Sequence, residues 1–441
     1  MLSSYVFFLR FSTVVSGLFS FFAIRPFSGS NSIPNHVVVA GGALRSRFGG
    51  AAMYQASMEN LRKFVAPEFV FGVGARRLVG QFARNFSVRR VLVVVDEVVG
   101  GLPWTTDVLG SLDQANLEYR IFSDLSPNPR ADEVMRGARY YLQEDCQAIV
   151  ALGGGSALDC AKGVGIVCVN NKPILDFEGV DNVPVPGPPL ICIPSTAGSS
   201  ADVSQFAIIT DQARKVKIAI VSKAMVPDIA LIDPETTVSM SPHLTACTGY
   251  DALTHAVEAY VSNASSAITD LHALEAVRLV GKHLPRAVEA PLDMEARSGM
   301  MLASLHAGLA FSNASLGATH AMAHSLGGLL DLPHGECNAI LLSRVVDFNF
   351  QAVPDRYLRV AEALGLDCRG LEVEGRRQAL VQGLTALRKQ VGLTRDLEEL
   401  GVSQADIEGL SRQAVCDPCM VTNPVHPAVE DIERLYVRNS E

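Results

Sequence analysis

The sequence predicts an α/β first half with a Rossmann-like parallel sheet and an all-helical second half. Short apolar runs alternate with helical stretches between about residues 69 and 234, which is typical of a parallel sheet buried on both faces. Two β-rich runs around Asp211-Gln212-Ala213-Arg214 indicate a hairpin beside that sheet. After about Ser241 the chain becomes rich in Ala, Leu and His at helical spacing, which predicts helices.

The individual elements follow from these patterns. The four buried runs are Val91–Val95, Ala148–Leu152, Leu190–Ile193 and Ile229–Ile232. The predicted hairpin strands are Phe206–Thr210 and Lys215–Val221. Residues 244–345 and 356–415 keep a helical period. We therefore expect an α/β domain over residues 59–240 and an all-α domain over residues 241–441.

Composition excludes several classes of protein. The chain has 441 residues, of which 48% are hydrophobic and 19% charged, so it is not a disordered chain. A net charge of -9 without long basic runs argues against a nucleic-acid partner. Nine cysteines in a chain this long are not a disulfide framework, and the lone C-x-x-C at Cys416 and Cys419 has no second pair to complete a zinc site. We expect a reducing compartment and a cytoplasmic protein.

The first 58 residues differ from the rest of the chain. They contain no acidic residue before Glu59, and Tyr5–Ile24 is apolar and Phe-rich apart from Arg10. Upstream sequence translated from a misplaced start, an organelle transit peptide and a membrane anchor all remain open. A start at Met53 or Met58 fits the first, and a location in an organelle matrix would follow from the second. No membrane partner is expected for the body of the chain.

A glycine turn follows the second buried run. Gly153-Gly154-Gly155-Ser156 ends a predicted strand and opens a helix, where backbone N–H groups can bind a phosphate. The G-x-G-x-x-G fingerprint is absent. The alternative is a tight turn in which Ser156 caps the helix and Asp159 completes a capping box.

Two further loops follow predicted strands. Asp96 stands at the end of the first buried run, where a carboxylate can bind a ribose diol and repel a 2′-phosphate, which favours NAD over NADP. The alternative is a solvated loop acid. The loop from Ser195 to Asp202 carries small hydroxyl residues that could line a nicotinamide or phosphate pocket, or be a polar loop before a helix cap.

The helical half holds a constellation of metal-ligand residues. Asp251 and His255 are four residues apart, as are His320 and His324, so each pair shares one helix face. His334 follows ten residues after His324. Three imidazoles and a carboxylate suit Fe²⁺ or Zn²⁺, and one of the five residues could act in acid/base catalysis instead. None of the other six histidines, including His36, has such neighbours in the sequence.

These segments resemble the iron-containing (group III) alcohol dehydrogenase family from about Phe69 to about Leu435. The specific segments are Gly153–Lys162, Ser195–Asp202, Gly249–Glu258 and His320–Gly335. The resemblance implies a dehydroquinate synthase-like architecture, in which an N-terminal nucleotide-binding domain and a C-terminal metal-binding domain enclose a cleft. Dehydrogenases of this family often self-associate, so a homo-oligomer is expected.

The resemblance also implies roles for individual residues. Asp251, His255, His320 and His334 match the metal ligands, His324 matches a nearby non-ligand histidine that could relay a proton, and Phe311 matches the residue that shields the substrate pocket. The positions that match NAD(P) contacts are Asp96, Asn128, Gly154, Gly155, Ser156, Asp159, Ser195, Ser199 and Lys217. Ser195 and Ser199 stand where the family commonly has Thr.

The implied activity is hydride transfer between a primary alcohol, or its aldehyde, and NAD(H), with Fe²⁺ or possible Zn²⁺ as the metal. A hydroxyacid-oxoacid transhydrogenase with retained NAD is an alternative within enzymes. A lyase of the dehydroquinate synthase type is disfavoured, because the motif segments around the metal are poor in Lys and Arg. A non-catalytic metal or nucleotide sensor is the alternative from another class.

Overall fold

Residues 62–437 are described by the computed structural model, and they begin with an α/β half. The predictions for residues 1–58 concern a segment outside the described residues. The strands are β1 Glu68–Phe71, β2 Arg90–Val95, β3 Glu118–Phe122, β4 Ala148–Gly153, β5 Gly179–Val180, β6 Leu190–Pro194, β7 Phe206–Asp211, β8 Val216–Val221 and β9 Ile229–Ile232. The helices of this half are α1 Val79–Asn85, α2 Glu97–Gly100, α3 Thr105–Gln114, α4 Ala131–Gln143 and α5 Gly155–Asn170.

The main sheet is parallel, with the strand order β1-β9-β6-β4-β2-β3. It is buried on both faces, as the continuous apolar runs predict. Leu92 and Val94 pack on the side of α4 and α5, whereas Val91, Val93 and Val95 pack on the side of α1 and α3. The predicted hairpin is confirmed, since β7 pairs antiparallel with β8 from Phe206 opposite Val221.

The second half of the described chain is helical. Its helices are α6 Pro242–Val261, α7 Ala267–Glu289, α8 Met294–Ala314, α9 Ala318–Leu330, α10 His334–Asn349, α11 Pro354–Ala363, α12 Val373–Gln390, α13 Gln404–Cys416 and α14 Val429–Val437. Ser241 caps α6 by accepting a hydrogen bond from the Leu244 backbone N–H, and Pro242 starts the helix. The predicted fold class is confirmed. The exact boundary at residue 240 stays a prediction.

Two properties of the described residues bear on the expectations above. All nine cysteines lie within this range as free thiols, and only Cys416 is exposed. Between residues 62 and 437, no helix has the length and hydropathy needed to cross a bilayer.

Candidate active site

A cavity of about 390 Å³ lies where the carboxyl end of β4 meets the helical half. It brings together residues that are far apart in the sequence. The predicted site residues that line it are Asn128, Gly154, Gly155, Ser156, Asp159, Ser199, Lys217, Asp251, His255, Phe311, His320, His324 and His334. Asp96 and Ser195 are not among its lining residues.

The glycine turn packs tightly against the serine loop. Gly153 has φ +150°, and a Cβ there would lie 2.8 Å from the Ala157 Cβ. A Cβ on Gly155 would lie 2.8 Å from both Cβ and Oγ of Ser199. The close approach of the two loops therefore requires Gly155, whereas Gly153 is required by its positive φ and by the nearby Ala157.

The N-terminus of α5 opens into the cavity without a side-chain cap. Its N-cap residue is Gly154, so the suggested capping role of Ser156 is wrong. The Ser156 hydroxyl instead donates to the Pro127 carbonyl. Free N–H groups at a helix N-terminus attract anions, so this end of the cavity fits the pyrophosphate of a dinucleotide.

Asp96 and Ser195 sit beside the glycine turn. Asp96 lies at the carboxyl end of β2 and caps α2, with Oδ1 accepting from Val99 N at 2.9 Å. Its Oδ2 lies near Gly153, since a Cβ there would be 3.4 Å from it. Ser195 is buried, and its backbone N–H donates to the Gly153 carbonyl at 2.8 Å. Ser195 thus holds the turn in place.

Polar side chains continue along the nucleotide side of the cavity. Lys217 Nζ donates to Asn128 Oδ1 at 2.8 Å, and Asn128 Nδ2 donates to Asp331 Oδ1 at 2.5 Å. Asp159 Oδ2 accepts from Ile208 N at 3.0 Å, but its buried Oδ1 has no hydrogen-bond partner. Burial raises the pKa of Asp159 to about 6, against the opposing charge of Lys162.

Three of the four predicted metal ligands converge. Asp251 Oδ1 lies 3.7 Å from His320 Nε2 and 3.9 Å from His334 Nε2, and the three ligand atoms lie within 4.8 Å of one another. His255 is outside that group, although its ring stacks on His320 with centroids 4.5 Å apart. The structure thus places His255 beside the cluster.

The donor atoms of this cluster fit a cation. His255 Nδ1 and His334 Nδ1 are buried without hydrogen-bond partners. Asn338 Nδ2 lies between the converging atoms, 2.7 Å from Asp251 Oδ1, 3.2 Å from His320 Nε2 and 3.3 Å from His334 Nε2. One carboxylate and imidazole nitrogens suit Fe²⁺ or Zn²⁺.

A buried carboxylate orients one of these imidazoles. Glu258 Oε2 accepts from His320 Nδ1 at 2.6 Å and from Gly317 N at 3.0 Å, while Oε1 accepts from Thr319 N at 2.6 Å. Glu258 therefore stabilises the N-terminus of α9 and leaves His320 Nε2 directed at the cluster. A carboxylate behind a ligand histidine is a recurring feature of metal sites.

The electrostatics of the cluster follow from burial and charge. Burial opposes ionisation of Asp251, but the imidazoles beside it hold the pKa of that carboxyl well below its usual range. Burial lowers the pKa of His255 to about 4 and that of His334 well below its ordinary value. Burial opposes protonation of His320 as well, but its hydrogen bonds to Asp251 and Glu258 raise the pKa of His320 to about 9. Because metal binds the neutral imidazole and the ionised carboxylate, binding at His320 Nε2 is coupled to loss of a proton from that ring.

His324 and Phe311 line the cavity beside the cluster. His324 Nδ1 lies 2.8 Å from Asp417 Oδ2, so the carboxylate accepts and Nε2 stays available. Burial opposes ionisation of Asp417, yet His324 keeps the pKa of Asp417 below its ordinary value. Phe311 stacks on His255 at 4.2 Å between ring centroids and meets Phe206 edge-on at 5.6 Å.

Comparison with known families decides the assignment. A model of the iron-containing alcohol dehydrogenase family matches residues 66–234, and a model of the C-terminal part of the Fe-containing alcohol dehydrogenase family matches residues 245–440. The chain belongs to the iron-containing alcohol dehydrogenase family. The predicted family and enzyme class, an oxidoreductase of the alcohol dehydrogenase type, are thereby confirmed.

Individual relatives of this iron-type alcohol dehydrogenase support the same family assignment. The NAD-dependent methanol dehydrogenase of Bacillus methanolicus is 36% identical, over 84% of this chain and 98% of its own length. Alcohol dehydrogenase 4 of Schizosaccharomyces pombe is 38% identical, over 85% and 88%. A crystal structure of a 1,3-propanediol oxidoreductase superposes with a TM-score of 0.83 at 34% identity, over 85% and 99%. These names favour a dehydrogenase over the transhydrogenase and sensor alternatives.

Sequence reasoning missed three residues of the site. Glu258 lies seven residues after Asp251 on α6, so helical spacing could have shown that it shares the helix face of Asp251 and His255. Asn338 lies four residues after His334 on α10, so the same helical spacing could have identified it. No sequence pattern could have identified Asp417, because it is 93 residues from its partner His324.

Proposed function

We propose that this alcohol dehydrogenase holds its divalent metal ion with Asp251, His255, His320 and His334. NAD binds with its pyrophosphate at the N-terminus of α5. The enzyme transfers hydride between a primary alcohol, or its aldehyde, and NAD. One observation carries the proposal: a single cavity joins the uncapped helix N-terminus to the cluster of imidazoles and a carboxylate.

The chain's own residues divide the remaining tasks. The metal ion, when bound, supplies a Lewis acid for the alcohol oxygen, and NAD supplies the hydride acceptor. His324 accepts the hydroxyl proton at Nε2 while Asp417 holds its Nδ1. Phe311, packed on His255, excludes water from that side of the cavity. Asp159 Oδ1, which accepts no hydrogen bond and lies 3.9 Å from Lys162 Nζ, is an acceptor for a polar group of the nucleotide.

The proposal also covers the cofactor preference, the metal ion, the oligomeric state and the cellular compartment. Asp96, at the end of β2 beside the glycine turn, favours NAD over NADP by repelling a 2′-phosphate. Fe²⁺ is the expected metal and Zn²⁺ the alternative, since the donor atoms serve both. We infer a homo-oligomer in a reducing compartment, the cytoplasm or an organelle matrix, where nine free thiols persist.

The test uses the full chain loaded anaerobically with Fe²⁺. NADH absorbance is followed with NAD and a panel of primary alcohols, diols and hydroxyacids. We expect metal-dependent reduction of NAD by a primary alcohol. Tight NAD binding without net NADH on any substrate would overturn the proposed reaction.

A matched pair of histidine variants tests the ligand assignment. His255→Ala is expected to lose bound iron and activity together. His426→Ala removes an exposed histidine that does not line the cavity and should keep both. An active His255→Ala enzyme with a full complement of iron would remove His255 from the ligand set.

A further inference from the structure

A second group of metal-ligand side chains lies at the contact between α6 and α10. It consists of His243, Cys247 and Glu336, and we call it the α6–α10 cluster. His243 and Cys247 are four residues apart on α6 and share one face with Asp251. Glu336 lies in the first turn of α10, two residues after His334. The cluster is thus close to the proposed iron ligands but uses none of them.

The distances suit a transition-metal ion. Cys247 Sγ lies 3.6 Å from His243 Nε2, which lies 3.8 Å from Glu336 Oε2, and the three atoms lie within 4.8 Å of one another. In a tetrahedral zinc site with ordinary bond lengths, sulfur and nitrogen ligands are about 3.6 Å apart, and nitrogen and oxygen ligands about 3.4 Å. Small shifts of side chains would close the remaining difference.

Glu336 supplies an independent observation. Its side chain is only 4% exposed, and Oε2 has no hydrogen-bond partner. Arg395 Nη2 and Nε both contact the other oxygen, Oε1, at 2.6 and 2.8 Å. An unpartnered oxygen on a buried carboxylate is costly, so the position of Oε2 beside Cys247 and His243 calls for a cation.

The two helices hold the cluster in a fixed geometry. A Cβ on Gly335 would lie only 2.0 Å from the Cys247 carbonyl oxygen, so α10 packs directly on the backbone of α6. Cys247 is buried, whereas the His243 side chain is 53% exposed. An ion therefore has a path from solvent past His243, and a water molecule can serve as a fourth ligand.

We propose that His243, Cys247 and Glu336 form a second metal site, selective for a borderline-soft divalent ion such as Zn²⁺. Thiolate, imidazole and carboxylate are the ligands that zinc takes in proteins, and the thiol proton is released to solvent when the ion binds. This site does not depend on the proposed function, because it shares no ligand with the iron cluster.

Cobalt(II) distinguishes the two sites spectroscopically. Of these two sites, only the α6–α10 cluster contains a sulfur ligand. Cys419, beside His324 and Asp417, is a further thiol among metal-ligand side chains of the described residues, so loss of the thiolate-to-Co²⁺ charge-transfer absorption in variants of the cluster is what assigns it. Anaerobic titration of the metal-free full chain with Co²⁺ is expected to give this absorption with a stoichiometry of one thiolate per chain. His243→Ala should weaken Co²⁺ binding, read from this absorption, by about tenfold or more, and Cys247→Ser should abolish the absorption.

Three controls make the outcome decisive. Cys416→Ser removes the exposed thiol, and His426→Ala removes another exposed histidine; both should leave the absorption unchanged. His255→Ala tests the iron cluster and should also leave it unchanged, which separates failure of this site from failure of the proposed function. Absence of the absorption in the native chain, its persistence in Cys247→Ser, an unchanged Co²⁺ affinity in His243→Ala, or its loss in Cys416→Ser would overturn the second site.

Discussion

At the scale of single residues, the site depends on side chains that never touch the substrate. Glu258 accepts hydrogen bonds from one imidazole and from two backbone N–H groups at the start of α9. The carboxylate therefore fixes both the ring orientation of His320 and the position of the helix that carries it. His324 has a comparable partner in Asp417, which holds Nδ1 and leaves Nε2 free.

Glu258→Gln tests this positioning role. The variant keeps the side-chain shape but loses the negative charge behind His320. Loss of such a carboxylate typically lowers metal affinity by about 10–100-fold, and we expect that range here. Competition with a chelator measures the affinity, and Glu275→Gln, in an ion pair with Arg278 away from the cavity, is the matched control. Equal affinities in Glu258→Gln and native protein would contradict the role.

A second prediction concerns Asp159 and the pH dependence of the free energy of unfolding. Burial raises its pKa from the ordinary 3.8 to about 6, so between those values the folded state binds more protons than the unfolded state. Its contribution to the free energy of unfolding therefore falls as pH rises from about 4 to about 6. Asp159→Asn should be more stable than native protein by about 3 kcal/mol above pH 6, with no advantage below pH 4.

Urea unfolding at several pH values measures this difference. Asp113→Asn, on the exposed face of α3, is the control and should show no such pH-dependent gain. NAD affinity of Asp159→Asn is measured alongside, since the carboxylate is a proposed nucleotide contact. A constant stability difference from pH 4 to pH 8 would show that Asp159 ionises normally in the folded protein.

At the scale of elements, the turn between β4 and α5 joins the sheet to the serine loop. Gly155 leaves no room for a side chain against Ser199, and the helix behind it begins uncapped. The same backbone conformation thus serves loop packing and exposes N–H groups to the cavity. The sequence predicted the phosphate-binding turn, but the packing requirement became visible only in three dimensions.

Gly155→Ala should lower the free energy of unfolding by about 1–3 kcal/mol and weaken NAD binding, because the new Cβ would lie 2.8 Å from Ser199 atoms. Adding Ser199→Gly removes the atoms it meets and should restore most of the stability. Gly110→Ala, where a Cβ meets nothing within 4 Å, is the control and should be neutral or stabilising. Denaturant unfolding of these three variants and the native chain checks this, and a failed rescue would exclude the clash.

The position of each strand in the main sheet explains whether the sequence could predict it. The four continuous apolar runs correspond to β2, β4, β6 and β9, which are interior strands with neighbours on both sides. The strands it missed, β1 and β3, are the two edges of the sheet. Their residues include Glu68, Glu118 and Arg120, because an edge strand need not be buried on both faces. Hydropathy runs alone therefore find the centre of a sheet and not its edges.

At the scale of the whole molecule, the active-site cavity is assembled from segments that the chain brings together over long distances. Helical spacing predicted the pairs within α6 and within α9, since local geometry fixes them. The contacts between these helices, and the pairing of His324 with Asp417, depend on how the helices pack, which no local pattern encodes. The sequence thus identified candidate ligands but not the carboxylates and amide that surround them.

Asn338 links this assembly to metal binding. Without metal, its Nδ2 donates to Asp251 and lies within hydrogen-bond distance of His320 and His334. Asn338→Ala should therefore lower the free energy of unfolding of the metal-free chain by about 1–3 kcal/mol, because Asp251 loses its buried donor. With Fe²⁺ bound, the ion satisfies the same acceptors, and the loss should shrink. Asn349→Ala breaks a buried Asn349–Asn423 pair elsewhere and should cost the same in both states.

Anaerobic urea unfolding of these two variants and the native chain, with and without Fe²⁺, tests the linkage. Bound metal stabilises the folded chain by RT ln(1 + c/Kd), where c is the free Fe²⁺ concentration, so the iron-dependent gain should be larger in Asn338→Ala than in native protein. In Asn349→Ala the gain should equal the native value. Equal losses for Asn338→Ala in the two states would mean that iron does not take over the acceptors that Asn338 now serves, and the ligand assignment of Asp251 would fail with it.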